Sequence, residues 1–404
     1  MSTLTLQLIT TDVEFRALEP EWTALHEASR GTIFASFRWL SGWWDLYRRP
    51  NLRLRIAAVR DDGALVGVLP AFIEVTRFGP LALRRLRLLG TFDVYGEYAP
   101  FLLPGRESDV LPFLAHFVTD ELKSRSCDVV SLFRFNSDSP EMGALLSGIG
   151  QENVHLRYEP SEIVRVMMPL PKDWETYLKS LSGAEQEILR RRSRSLEKNG
   201  AELETISEPS DADFDDFVRL HSASWTGRGI AGYFHSPQFE AFHRGATADF
   251  SRAGHARLYF FRKDGVRFAA VHAYFMHGQC CFYLSGLDRE HEFVRYSPGK
   301  VLLSYVIRDA IRLGYATFDF QGGTEEYKFK LGGKASSFGK AVIWGKGRSS
   351  VKVVPLLGLS ALYNFVVGGV WAYQILPRVR TLGGLFGFRP PEHVPHARSE
   401  ERTP

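Results

Sequence analysis

The side chains whose types and spacing could do chemistry gather between residues 296 and 330. There Ser297, Pro298, Gly299 and Lys300 open a stretch in which Val301, Leu302, Tyr305 and Ile311 keep an amphipathic helical spacing up to Gly314. Ser297 suits a helix N-cap and Pro298 a first helical turn. Such a helix start presents backbone N–H groups and a partial positive charge, which suits a pyrophosphate. A short strand at 316–320 follows and delivers Asp319 to the edge of a Gly322-Gly323 turn. A carboxylate there can take a proton from an attacking group, and His272, on a long apolar run, is the second candidate for that task. Tyr327 could return a proton to a leaving group, and Lys328 could hold a phosphate or a carboxylate. The plainer alternatives are a cap or an ion pair for Asp319, a satisfied sheet histidine for His272, and packing or surface solvation for Tyr327 and Lys328.

Two further groups carry charge toward a ligand. Trp225, Thr226, Gly227, Arg228 and Gly229 end a predicted helix with glycine on both sides of an arginine, a loop that can present a guanidinium to an anion or serve as a connector. Arg190, Arg191, Arg192, Arg194 and Lys198 are the densest basic cluster in the chain. On a helix they spread over more than one face, so a solvated helix competes with contact to donor phosphates or an anionic acceptor. No groove-reading motif accompanies them, and DNA is not an expected partner.

The elements that must position these groups belong to a chain of 404 residues, 45% hydrophobic and 24% charged, which is long enough for two or three domains with substantial cores. A net charge of +4 demands neither nucleic acid nor an anionic membrane. Cys127, Cys280 and Cys281 cannot build a disulfide framework and read as buried free thiols. The first ten residues have no basic start and no long apolar core, so they read as a strand, with a cytoplasmic compartment expected. Strand at 4–9, helix at 12–28, helix at 34–47, a hairpin at 52–75, helix at 108–124 and strand at 128–133 make an α/β unit. In the second of those helices Trp39, Trp43, Trp44 and Tyr47 share a face, as core or as the wall of a pocket.

About 200 residues later the construction returns. The turn Asp61-Asp62-Gly63 between two strands is echoed by Lys263-Asp264-Gly265, again between two strands, so the chain reads as a duplicated α/β (α+β) domain. Convergent hairpins are the alternative, since charged-Gly turns are common. The boundaries expected are 1–165 for a structural or acceptor-side domain, 166–346 for a donor domain, 347–388 for an apolar helical segment and 389–404 for a disordered tail.

The order of Tyr296-Ser297-Pro298-Gly299 opening a helix, Gly314 to Phe320, and Gly323-Thr324-Glu325-Glu326-Tyr327-Lys328 resembles the GCN5-related N-acetyltransferase (GNAT) superfamily, in its BioF2-like and CelD-type branch related to the Fem peptidyltransferases. The resemblance covers roughly residues 4–346. It implies tandem GNAT-like domains, each a mixed, mainly antiparallel sheet flanked by helices. It implies acetyl-CoA or another acyl-CoA as co-substrate, no metal, and transfer of the acyl group to an amine, on an acceptor in exopolysaccharide or envelope biosynthesis. Ser297, Pro298, Gly299 and Lys300 stand where the family's phosphate loop, Arg or Gln before Gly-x-Gly or Gly-x-Ala, is reduced. A carrier-protein donor, an aminoacyl-tRNA donor as in Fem relatives, or a non-catalytic scaffold role therefore stay open. In aminolysis of a thioester the amine must be neutral, the carbonyl polarised and the thiolate protonated. Asp319 or His272 would serve the first need, a strand N–H the second and Tyr327 the third, with Lys328, Trp225 and Arg228 on the substrate.

Residues 356–376 hold no charged side chain and are framed by Pro355 and Pro377. That length could cross a bilayer, but its Gly, Ser, Asn and Gln favour a packed or interface-lying helix, the latter in peripheral contact with the inner face of a membrane, with a membrane span or an oligomer contact as alternatives.

Overall fold

Two prolines break elements that the hydrophobic pattern would run together. The run at 12–29 becomes α1 (Asp12–Ala17) and α2 (Glu19–Ser29), with Pro20 in the first turn of the second helix. The run at 64–78 becomes β4 (Ala64–Leu69) and β5 (Ala71–Phe78), which join different sheets across Pro70. The computed structural model describes residues 4–91, 96–226, 232–347, 351 and 353–359.

The rest of the first half comprises β1 (Leu4–Ile9), α3 (Phe37–Tyr47), β2 (Leu52–Leu54), β3 (Ile56–Asp61), β6 (Leu81–Leu88), β7 (Phe101–Leu102), α4 (Glu107–Lys123), β8 (Val129–Asn136), α5 (Pro140–Gly150) and β9 (Val154–Pro169). The second half holds α6 (Trp174–Ser180), α7 (Gly183–Lys198), β10 (Glu202–Ile206), α8 (Asp211–Thr226), α9 (Pro237–Arg252), β11 (Ala256–Lys263), β12 (Val266–Met276) and β13 (Gln279–Leu287). It ends with α10 (Pro298–Arg312), β14 (Thr317–Gly322), α11 (Glu326–Lys330) and β15 (Lys334–Gly345). The strands form a small sheet ordered β1-β3-β4-β7 and a large one ordered β10-β11-β12-β13-β14-β9-β15-β8-β6-β5-β2.

The duplication is visible in backbone detail. Asp62 and Gly63 take φ of 47° and 86°, and Asp264 and Gly265 take 49° and 80°. Positive φ at both central residues is the type I′ turn, which asks for Asp-Gly or Asn-Gly. Each hairpin carries a register shift just before its turn, at Val59/Arg60 and at Phe261/Arg262. The helices repeat too: a single 3₁₀ turn precedes both α3 and α9, and Ser36 and Ser236 cap them by accepting from Trp39 N and Phe239 N.

The halves are nevertheless not separable beads. β15 lies antiparallel between β8 and β9, and β9 continues past it to pair with β14. The boundary expected near residue 165 thus falls inside one strand that serves both halves. α3 packs on α9, and the four aromatics of α3 are core: Trp39, Trp43, Trp44 and Tyr47 are all buried. All three cysteines are buried and free.

Side chains on β12 alternate between two layers. Val271, Ala273 and Phe275 meet α10, while Ala270 and Tyr274 meet the core shared with α3, α8 and α9. At the end of β13, Gly286 lets α8 approach closely. A Cβ built there would stand 2.5 Å from His221 N and 2.6 Å from Leu220 C. Both are backbone atoms of a helix and cannot rotate away. Gly286→Ala is expected to destabilise by about 1–3 kcal/mol, read as a lower midpoint in urea unfolding.

Of the apolar tail, Val353 and Leu356 are buried against Leu83 and Val129 on the large sheet. The remainder of the 356–376 segment, from residue 360 onward, and all of 389–404 lie outside the described residues. Among the described residues no helix is long and apolar enough to cross a membrane.

Candidate active site

β13 and β14 run parallel and pair over only three residues, Gln279 to Cys281 with Thr317 to Asp319. Beyond Cys281 the pairing ends, which opens a wedge between the two strands. A bulge marks the same place on the other side of β13. Its register with β12 passes from Ala273↔Phe282 to His272↔Leu284, leaving Tyr283 without a partner in the ladder. A bulge interrupts the ladder and changes where the backbone groups around it point, and here it lies on the strand that borders the wedge.

α10 starts at the open end of this wedge. Ser297 occupies the N-cap position in the left-handed region (φ 51°, ψ 57°) and makes no side-chain cap, contrary to its reading as an N-cap hydroxyl. Its carbonyl accepts from Lys300 N and Val301 N instead. Pro298 is buried, and Gly299 has open space for 4 Å around the place a Cβ would take. The Lys300 ammonium is paired with the buried Glu185 at the start of α7, so its charge is already answered. No acidic side chain occupies the first turn of α10, whereas α4, its counterpart in the first half, begins with Glu107 and Asp109. Of these two counterpart helices, only α10 leaves its positive end without an acidic side chain.

Behind the point where the strands part lies a layer of buried polar groups. Asp319, 1% exposed, accepts from Arg165 Nη2 (2.8 Å) and Nε (3.3 Å) and from Gln321 N (2.7 Å) and Nε2 (2.9 Å). Its lone pairs are occupied, which makes it the anchor of an ion pair and not a free proton acceptor. Arg165 also pairs with Glu97 of the first half at 2.7 Å. Burial opposes the arginine's charge, but Glu97 and Asp319 outweigh it and hold its pKa above the ordinary value. Burial, stronger here than the pull of Arg165, raises the Glu97 carboxyl above its ordinary 4.5. Gln321, held at φ 61°, also donates to Cys281 Sγ at 3.0 Å.

Next to this group, Tyr283 O–H donates to His243 Nε2 at 2.7 Å, and His243 Nδ1 donates to Phe239 O at 2.6 Å. His272 is fully buried beside them, its ring 4.5 Å from Tyr274, its Nε2 3.5 Å from Thr247 Oγ1 and its Nδ1 without a partner among the described residues. Burial pushes both histidines down to about 3, so each is neutral near pH 7. His272 therefore sits in the core between β12 and α8, away from solvent.

The other expected residues take up different posts. Lys328 is 3% exposed; its Nζ donates to Gly322 O (2.6 Å) and pairs with Glu325 (2.9 Å). A buried ammonium needs such partners. It fastens the Gly322-Gly323 turn in place of the substrate contact expected of it. Gly323, at φ 125°, leaves room for that clasp, since a Cβ would meet Glu325 Oε2 at 2.2 Å. Tyr327 is half-buried against the core around α10. Trp225 stands near the end of β13, edge-on to Tyr233, one residue after Ser224, whose hydroxyl bonds both Leu287 N and Leu287 O. Arg228 lies outside the described residues. Glu97, Arg165 and Gln321 escape a reading of the sequence. A lone arginine in the apolar strand Val164 to Met168 is the signal that could have found them.

Residues 185–329 match the family described as acetyltransferase (GNAT) domain. This stretch of the second half therefore matches a GNAT-type acetyltransferase domain. The wedge, the bulge and the helix behind them all fall within the matched residues. Among solved structures, FemX superposes with a TM-score of 0.60 at 12% identity, covering 83% of this chain and 96% of that one. The C-terminal domain of a putative lysylphosphatidylglycerol synthetase from Agrobacterium fabrum superposes at 0.50, also at 12% identity, covering 88% and 97%. At these identities the likeness concerns the fold. A comparison with curated proteins finds no match. The GNAT domain thus sits in a longer two-part architecture that FemX shares over nearly its whole length.

Proposed function

We propose that the protein transfers an acyl group from an acyl-CoA, seated in the β13/β14 wedge, to an amine on a second substrate. The observation that carries this reading is the three-residue parallel pairing of β13 with β14, ending beside the Tyr283 bulge and facing the start of α10. The bulged strand offers an N–H to polarise the thioester carbonyl, and the helix start takes the pyrophosphate. Glu97 accepts the amine's proton. It is the less enclosed of the two carboxyls on Arg165, 15% exposed against 1% for Asp319, and burial raises its pKa. Arg165 and Asp319 position it. An envelope or exopolysaccharide precursor as acceptor rests only on the sequence resemblance to CelD-type proteins.

Calorimetric titration of acetyl-CoA and CoA tests the donor. Micromolar binding is expected, weakened at least about tenfold by Gly299→Glu, because a carboxylate there opposes the pyrophosphate. The space around Gly299 admits the side chain, so the variant reads ligand binding and not misfolding. Absence of binding to any acyl-CoA overturns the donor assignment.

An aminoacyl-tRNA donor is the second reading. It is favoured by α7, where Arg190, Arg191 and Arg194 are exposed and carry no ion pair among the described residues, beside α10. Tight, salt-sensitive binding of charged tRNA by the full chain would select it.

A further inference from the structure

The turn between β12 and β13 reaches from the GNAT domain to α2 of the first half. His277 and Gly278, at φ 46° and 82°, form its tip. The His277 ring lies 5.0 Å from that of His26, and one ring nitrogen of each, with a carboxylate oxygen of Glu27, lie within 4.8 Å of one another.

The backbone dictates where the protons are. His26 Nε2 meets Thr32 O at 2.8 Å, and His277 Nδ1 meets Gly31 O at 2.7 Å. A carbonyl can only accept, so each of these nitrogens carries a hydrogen. His26 Nδ1 and His277 Nε2 then hold the lone pairs of the neutral rings. His277 Nε2 faces a Glu27 carboxylate oxygen at 2.8 Å, a lone pair against an anion. A cation must lie between them, either a second proton on the ring or a metal ion. Nearby His255 is held in the same way, its Nδ1 2.9 Å from Phe275 O. Neutral imidazoles are metal ligands.

We infer that His26, Glu27 and His277 bind a divalent transition metal, zinc fitting best, which joins the first half to the GNAT domain. Two imidazole nitrogens and a carboxylate oxygen, each imidazole oriented by a backbone carbonyl, form a zinc donor set. Nitrogen ligands disfavour calcium and magnesium. His255 or water completes the coordination. Ligands about 2.0–2.1 Å from zinc stand roughly 3.3 Å apart in a tetrahedron, so donor atoms within 4.8 Å of one another need close by at most about 1.5 Å, the exposed Glu27 side chain most readily.

The test uses the full chain without an oligohistidine tag, stripped by chelator. Zinc is titrated by calorimetry, cobalt serves as an absorbing probe, and thermal midpoints are taken with and without zinc. One equivalent of metal, ligand-field bands for cobalt and a raised midpoint are expected. Affinity should fall about 100-fold or more in Glu27→Gln and in His277→Gln, beyond the losses typical of residues behind the ligands. Glu27→Gln changes one atom on an exposed side chain, so it keeps the fold. No saturable binding overturns the site. So does binding that survives both substitutions, or a junction stabilised at low pH with metal having no effect.

Discussion

Arg165→Met is expected to lower the unfolding free energy by about 3–5 kcal/mol at neutral pH, measured by urea denaturation. The guanidinium is 2% exposed, lies 2.7 Å from Glu97 and 2.8 Å from Asp319, and stands over the Phe338 ring at 5.5 Å. Methionine fills much of its volume but leaves two carboxylates facing each other in a dry layer. The sign of the pH dependence follows from Glu97, whose folded pKa already lies above its unfolded value. A carboxyl of that kind contributes stability that is fully present below pH 4.5 and is lost as pH rises through the raised value. Removing Arg165 raises it further, so the deficit should be largest near pH 7 and shrink as pH falls toward about 4. A variant as stable as the parent at pH 7 would mean that the arginine does not hold the layer together.

Glu97→Gln is expected to reduce kcat about 10²–10⁴-fold while leaving the KM for the acyl donor nearly unchanged. The substitution keeps shape and one acceptor for Arg165, and Arg165 retains Asp319, so the unfolding midpoint should move little. The parent should lose activity as pH falls through the raised pKa of Glu97, since the base must be ionised to take a proton. The variant should lack that acid limb. A merely structural Glu97 would instead shift stability and leave the pH profile in place.

How far the sequence reveals these features depends on whether each is local. The two Asp-Gly turns declare themselves because φ above zero at consecutive positions restricts residue choice, and the duplication follows from them. The start of α10 is legible from Pro298, although the cap hydroxyl of Ser297 is not used. Asp319 stands out as a charge in an apolar strand. Its occupation does not, because the partner that fixes it, Arg165, is 154 residues away and the third member, Glu97, comes from the other half. Lys328 shows the opposite failure: a lysine in a polar loop reads as exposed, yet the turn of Gly322 and Gly323 draws it inward. The passage of β15 between β8 and β9 has no local signature at all, since strands of either half present similar apolar faces.

That last arrangement sets the order of events during synthesis. A ribosome releases β8 and β9 long before residues 334–345 leave the exit tunnel. Until then the edges of β8 and β9 that β15 will fill stay unsatisfied, each a template for a stray strand of another chain. The nascent protein is therefore expected to need chaperone protection until β15, the last described strand, has been made. Pulse-labelled chains halted before residue 334 should be captured by a holdase and digested by protease, while those extended past residue 345 and clear of the tunnel should resist both.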